Sequence, residues 1–114
     1  MALSNEEVIW LGHDNSIDLR LYSNSSEVEL SAVTKISLSI GSVVVTSTDA
    51  ASGKIRWNQA GYEIGEIRIV AGSDSSLSTG RYDGSLVVYD PTNTLGVVWD
   101  NSIPIRVKSD PLAT

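Results

Sequence analysis

The 114-residue chain has no cysteine, and this absence removes several kinds of site at once. No disulfide can hold the fold together, and no thiolate can bind a metal or attack a substrate. Histidine is almost absent too, because His13 is the only one, so we expect no zinc or copper site within a single chain. No apolar run approaches the ~20 residues of a membrane helix, and no membrane partner is expected. The opening MALSNEEVIWLG is acidic and unlike a signal peptide, so we expect a chain used without export by that route.

Positive charge is sparse as well. The chain has 14 acidic and 8 basic residues, giving a net charge of −6. The basic residues are spread singly along the sequence and form no run. Proteins that bind nucleic acid need clustered cations to displace counterions from the phosphates, so no nucleic-acid partner is expected.

The residues that the chain does contain favour β-structure. Serine is abundant at 18 residues, and isoleucine and valine dominate the apolar set. Several short segments alternate apolar with polar residues, as Ile36 to Ile40 does, and none has the 3.6-residue period of an amphipathic helix. We predict an all-β fold, an antiparallel sandwich of seven to eight strands, with a closed barrel as the alternative. One domain is expected over residues 1–114, with short arms at 1–6 and 109–114.

Three segments predict local departures from simple alternation. Val43 to Thr46 is apolar on both faces, which is typical of a central strand. The strand expected from Tyr62 to Val70 changes phase around Gly65, which predicts a β-bulge there. Pro104 cannot donate a ladder hydrogen bond, so its strand is expected at an edge or paired on one side only.

The stretch from Leu77 to Trp99 predicts a long β-hairpin. Apolar residues alternate from Tyr82 to Val88, and Asp90-Pro91-Thr92-Asn93 predicts a type I turn before the return strand. The segment LSTGRY ending at Tyr82 resembles the tyrosine corner of immunoglobulin-like sandwiches, in which a tyrosine bonds to backbone a few residues upstream. The resemblance implies an immunoglobulin-like β-sandwich without the cystine, with Tyr82 as a structural corner that bonds near Leu77 or Ser78. Alternatively, Tyr82 is an ordinary half-buried strand residue. Trp57 and Trp99 follow the inward phase of their strands and are expected in the core.

No group of residues has the spacing of a catalytic or metal site. His13 lies in a polar turn, and no serine lies in a G-x-S-x-G segment. The oxygen ligands from Asp14 to Asp18 lack the glycine and the late glutamate of an EF-hand loop. Glu63 and Glu66 could act as an acid–base pair only in a cleft, and a small sandwich offers little cleft. We therefore expect no catalytic residue, no cofactor, no metal and no enzymatic activity.

The residues expected to contact a partner lie near the two ends of the chain. Trp10 is out of phase with Ile9 and Leu11 on a short segment predicted to be an edge strand. An exposed tryptophan is a typical contact residue, because it buries a large area and carries a polar N–H. The predicted contact set comprises Glu7, Val8, Trp10, Pro104, Arg106 and Lys108.

Two segments, TGRYDGSLVVYDPTNTLGVVW and IPIRV, resemble the closing pattern of small β-rich virion proteins of tailed bacteriophages. The matching positions are Gly80, Tyr82, Leu86, Val88, Tyr89, Asp90, Gly96, Val97, Trp99, Ile103, Ile105 and Val107. The resemblance implies an immunoglobulin-like accessory domain of the phage particle, such as a head decoration (cement) protein that clamps neighbouring major capsid subunits.

This resemblance also implies the partners and the location. The expected partners are the major capsid protein or other virion subunits, with self-association of copies on the shell. The expected location is the outer head surface of the virion, after synthesis in the host cytoplasm. Two alternatives stay open: a tail, baseplate or head–tail joining component, and a carbohydrate-binding module for adhesion to the host.

Overall fold

All regular structure in the described part of the chain is β-strand, as the sequence predicted. A computed structural model describes residues 7–74 and 76–109. Its ten strands are β1 (Glu7–Leu11), β2 (Ile17–Arg20), β3 (Tyr22–Ser23), β4 (Ser26–Glu27), β5 (Lys35–Ile40), β6 (Val43–Ser47), β7 (Ile55–Trp57), β8 (Glu66–Ile69), β9 (Gly80–Tyr89) and β10 (Val97–Ser109). The count exceeds the predicted seven to eight because two-residue β3 and β4 form a ribbon of their own. The predicted arms lie outside the described residues, apart from Ser109, which belongs to β10.

Five strands form the larger sheet, in the order β1-β10-β9-β5-β6. The contacts of β10 with β9, of β9 with β5 and of β5 with β6 are antiparallel. β1 instead runs parallel to β10, from Glu7↔Ile105 to Leu11↔Ser109. The sheet is therefore mixed, and the prediction of a wholly antiparallel fold is wrong at this edge.

The smaller sheet, β2-β8-β7, is antiparallel and shares one buried core with the larger sheet. The fully buried side chains come from both: Trp57, Ile36, Leu38, Ile40, Ile55, Ile67, Ile69, Leu86, Ile105 and Val107. Burying one such side chain stabilises a fold by about 1.5–3 kcal/mol, whereas an exposed ion pair contributes about 0–1 kcal/mol. The shared core therefore dominates the stability, and the prediction that Trp57 is a core residue is confirmed. Trp99 is only partly buried against that core.

β5 and β6 form a tight hairpin at one end of the larger sheet. Ile40 pairs with Val43 across Gly41 and Ser42. Gly41 has φ +62, and Ser42 does not have a positive φ, which is the pattern of a type II′ turn. The turn returns the chain to the same sheet, so β6 lies at its open edge. The prediction of a central strand over Val43 to Thr46 is wrong, and Val44 is 60% exposed.

β8 is shorter than the sequence predicted. Residues 61–65 form turns, and the strand begins only at Glu66. Gly65 has φ +80, and its carbonyl accepts a hydrogen bond from the Leu21 N–H at 2.9 Å. The phase change around Gly65 therefore marks the end of a turn and not a β-bulge within a longer strand.

The long hairpin of β9 and β10 carries the features that position the candidate site. Its tip contains the predicted turn, in which the Asn93 N–H donates to the Asp90 carbonyl at 3.1 Å. The register slips twice along β10, between Val98 and Asp100 and again before Ile103. At the far end, the Tyr82 hydroxyl donates to the Ser78 carbonyl at 2.8 Å, the contact that the sequence predicted.

Candidate partner-binding groove

Four of the predicted contact residues share one face of the larger sheet. Val8 lies opposite Arg106 and Trp10 lies opposite Lys108 in the parallel pair of β1 and β10. Directly opposed residues project to the same side of a sheet, and alternate residues of a strand project to opposite sides. Because the intervening Ile105 and Val107 are buried in the core, these four side chains project outward.

This outward face forms an open groove of about 680 Å³ at the end of the sheet. Its lining comes from β1, from Thr79 and the start of β9, and from the end of β10: Trp10, Thr79, Gly80, Arg81, Arg106, Val107, Lys108 and Ser109. The groove is thus built where the first and last described strands run side by side. A site in this position depends on β1 and the last residues of β10 lying side by side in the sheet.

The groove concentrates positive charge in an acidic protein. It holds three of the eight basic residues, and Arg81 lies directly opposite Arg106 in the antiparallel pair. The Lys108 Nζ atom lies 5.4 Å from the centroid of the Trp10 ring. A cation over an indole face is attracted by the ring's quadrupole, by about 0.5–1 kcal/mol at exposed sites. The groove therefore offers a flat aromatic ring beside cations, which suits an anionic partner.

The other two predicted contact residues, Pro104 and Glu7, do not line the groove. Pro104 pairs with Asp83 of β9, and the described pairing with β1 begins one residue later at Ile105. Within the described residues, Pro104 therefore has a partner on the β9 side. Pro104 lines a second, smaller hollow beside the groove, with Arg81, Tyr82 and Asp83.

Glu7 belongs to the opposite side of the sheet, because it is paired with the inward-facing Ile105. Burial raises the pKa of the Glu7 carboxyl, and the negative charge of Asp18 raises it further. Glu7 is therefore outside the groove and next to the smaller sheet.

Sequence reasoning missed the β9 wall of the groove, Thr79 to Arg81. The register set by Val97↔Val88 would place Pro104 opposite Arg81 if it continued unchanged. The two slips in β10 move Arg106 to that position instead. Each slip adds one residue to β10. Two such insertions shift the register by two residues and so leave each side chain on its original face of the sheet. The alternation of Ile103, Ile105 and Val107 therefore does not reveal them.

The residues weighed for catalysis stand apart from the groove. His13 is exposed in the turn after β1. Glu66 accepts a hydrogen bond from the Glu63 N–H at 2.9 Å and pairs with Arg68 at 3.4 Å, so its carboxylate serves the turn and the sheet. Asp18, the last residue of the segment that was compared with a calcium loop, pairs with Arg68 at 3.0 Å.

Among residues 7–74 and 76–109, no cluster of three or more histidine, aspartate or glutamate side chains could hold a metal ion. In the same residues, no helix is long and apolar enough to cross a membrane.

No protein-family model matches the chain, and no curated protein matches its sequence. The role of this chain is therefore inferred from its own residues.

Proposed function

We propose that this chain is a non-enzymatic virion protein of a tailed bacteriophage, a head decoration protein that binds the outer capsid surface. The observation that carries the proposal is the groove, because it gathers Trp10 from β1 with Arg106 and Lys108 from β10. These residues were expected to contact a partner from the sequence alone. A decoration protein needs a rigid small domain with such a contact surface, and it needs no catalytic group.

The scaffold supports the same proposal. Two sheets share one core, and the Tyr82 hydroxyl reaches the Ser78 carbonyl four residues upstream, as in a tyrosine corner. We propose that the fold is an immunoglobulin-like sandwich in which the parallel strand β1 closes one edge. In this arrangement the core and the corner hold the groove, and the groove makes the contact.

The chemistry of the groove indicates how the contact would form. The positively charged side of the groove would face carboxylates of a capsid subunit, with Lys108 pairing with one of them, and Trp10 would bury its ring against the same surface. One such site is weak, but many copies on a symmetric shell gain strength by multivalency. Binding through these cations is expected to weaken as the salt concentration rises.

The groove also favours a second function, of another class. Trp10 is half-buried beside three cations, and an indole ring can stack on a sugar while cations bind its acidic groups. A carbohydrate-binding module for host adhesion would use these same residues, with an anionic polysaccharide as its ligand.

A binding experiment separates the two functions. Purified protein would be mixed with virions that lack it, and separately applied to an array that includes acidic glycans. The decoration role predicts sedimentation with virions, lost in Trp10→Ala and Lys108→Glu, and no glycan binding. The matched control is Tyr22→Ala, which removes a 49% exposed ring near Arg20 on the ribbon of β3 and β4. Glycan binding without virion binding would replace the decoration role with the second function.

A further inference from the structure

β6 is an open edge strand that lacks the charged and proline residues by which such edges are commonly protected. Four strands end the two sheets within residues 7–74 and 76–109: β1, β2, β6 and β7. β1 contains Glu7, β2 contains Asp18 and Arg20, and β7 contains Arg56. β6 reads VVVTS, with no charge, no proline and no glycine. Natural proteins normally blunt an edge strand with charge, proline or a bulge, because unpaired N–H and C=O groups invite another strand.

The hairpin geometry identifies which backbone groups face the open edge. A two-residue type II′ loop closes on a pair that exchanges both of its hydrogen bonds, here Ile40 and Val43. Hydrogen-bonded and non-bonded pairs then alternate along the ladder, so Val45 and Ser47 also bond to β5. Val44 and Thr46 are left with N–H and C=O groups directed away from β5.

The side chains around these groups favour a second copy as the occupant. Two copies that each carry a net charge of −6 repel one another wherever acidic faces approach. At β6 the neighbouring outward side chains are uncharged, since Ser39 lies beside Val44 and Ser37 beside Thr46. The Ser37 and Thr46 hydroxyls bond to each other at 2.9 Å across this face. The named side chains beside the open edge therefore add no charge repulsion between two copies.

We propose that β6 of one copy pairs antiparallel with β6 of a second copy, which joins their larger sheets across a two-fold axis. In the register centred on Val45, Val44 lies opposite Thr46 of the second copy, and both outward-facing residues find partners. This register forms about four backbone hydrogen bonds between copies. A register centred on Val44 would instead place Thr46 opposite the turn.

The pairing is weak in solution and effective in an array. A five-residue edge covers little of the area of a stable dimer, so the dissociation constant is on the order of 1 mM. Copies held side by side on a surface experience a comparable effective concentration and pair there. The pairing goes beyond the proposed virion role and does not require it.

Disulfide trapping tests the pairing directly, because the chain contains no other cysteine. Equimolar Val44→Cys and Thr46→Cys proteins are mixed under mild oxidation, and the mixed disulfide is followed by mass spectrometry. The matched control is Val98→Cys, 63% exposed against 60% for Val44 but on the β9–β10 hairpin. We expect the mixed disulfide to form about tenfold faster than the disulfide between two copies of the Val98→Cys protein. Equal rates overturn the proposal.

An amide-exchange dilution series gives a second readout without cysteine. The expected dissociation constant is on the order of 1 mM. Raising the protein concentration toward that value should slow amide exchange at Val44 and Thr46. Val44→Lys abolishes this protection and Val98→Lys preserves it, whereas added salt strengthens it by screening the net charge. A chain that stays monomeric throughout, with unchanged exchange, overturns self-pairing. Its presence on virions would still be decided by the binding experiment above.

Discussion

The ring of Tyr82 lies against Gly41, so closely that a Cβ atom on Gly41 would stand 2.9 Å from Cε1 of the ring. Gly41 is the first central residue of the turn between β5 and β6, and Tyr82 lies near the start of β9. One aromatic ring thus ties the loop before β9, through the Ser78 carbonyl, to the turn that aligns β6.

Tyr82→Phe tests the hydrogen-bonded half of this arrangement. The variant keeps the ring on Gly41 and loses the 2.8 Å bond to Ser78. We expect a loss of about 1 kcal/mol in unfolding free energy, because that is the typical net contribution of one such bond. Urea titration measures it, with the exposed Tyr22→Phe as a control expected to change stability by less than ~0.5 kcal/mol. Equal stability of Tyr82→Phe and the wild type would show that the corner contributes nothing.

Gly41→Ala tests the close contact between the Tyr82 ring and the turn. Ala at this φ of +62 is strained by about 1–2 kcal/mol, and its methyl group would also displace the Tyr82 ring. Gly61→Ala is the matched control, because its φ is +88 and no atom lies within 4 Å of the added Cβ. We expect both variants to be destabilised in thermal melts, and Gly41→Ala clearly more. The close contact is refuted if the two losses are equal.

Acid should destabilise the fold through three aspartates in turns. Hydrogen bonds lower the pKa of each carboxyl: from the Ser52 hydroxyl to Asp49, from the Ser76 N–H to Asp74 and from the Asn93 N–H to Asp90. A lowered pKa in the folded state means that the unfolded chain binds protons more tightly. The stabilisation is present above the unfolded value of about 3.9 and is lost as the pH falls through the folded pKa.

Unfolding midpoints in urea, measured between about pH 5 and pH 2, should therefore fall with falling pH. Asp90→Asn should flatten this dependence, because Asp90 accepts the N–H groups of both Thr92 and Asn93. A dependence as steep in the variant as in the wild type would exclude Asp90 as a contributor.

Glu7 should act with the opposite sign. Its pKa is raised by burial and by Asp18, so the folded state holds the proton more tightly than the unfolded chain does. Its favourable contribution is present below the unfolded value of about 4.3 and is lost as the pH rises through the folded pKa. Glu7→Gln should thus stabilise the protein at pH 7 and not at pH 3, as followed by urea titration. Exposed Glu29→Gln serves as the control, and a Glu7→Gln variant less stable at pH 7 would contradict the assignment.

Alternation was sufficient to predict the strands whose faces differ. A period-two pattern permits only one assignment of faces, so the sequence predicts that Ile36, Leu38 and Ile40 point inward. All three are buried in the structure. Val43 to Thr46 carried no such pattern, and its place at an edge depends on the tight turn at Gly41 keeping the chain in one sheet. Apolar residues on both faces do not distinguish a covered strand from an exposed edge.

The candidate site was predicted in part for a similar reason. Trp10 was identified because it is out of phase with Ile9 and Leu11, and that phase is local information. Arg81 belongs to the groove only through a pairing that depends on two register slips some distance away along β10. The parallel alignment of β1 with β10 is likewise a long-range pairing, which alternation within either strand does not encode.

The most direct test of the proposed function is cryo-electron microscopy of virions produced from the genome that encodes this chain. The decoration role predicts density for this domain on the outer head surface, with the face of Trp10 and Arg106 against a major capsid subunit. Density on the tail or baseplate would move the chain to another virion component. Virions that contain neither the density nor any peptide of this chain would contradict the proposal.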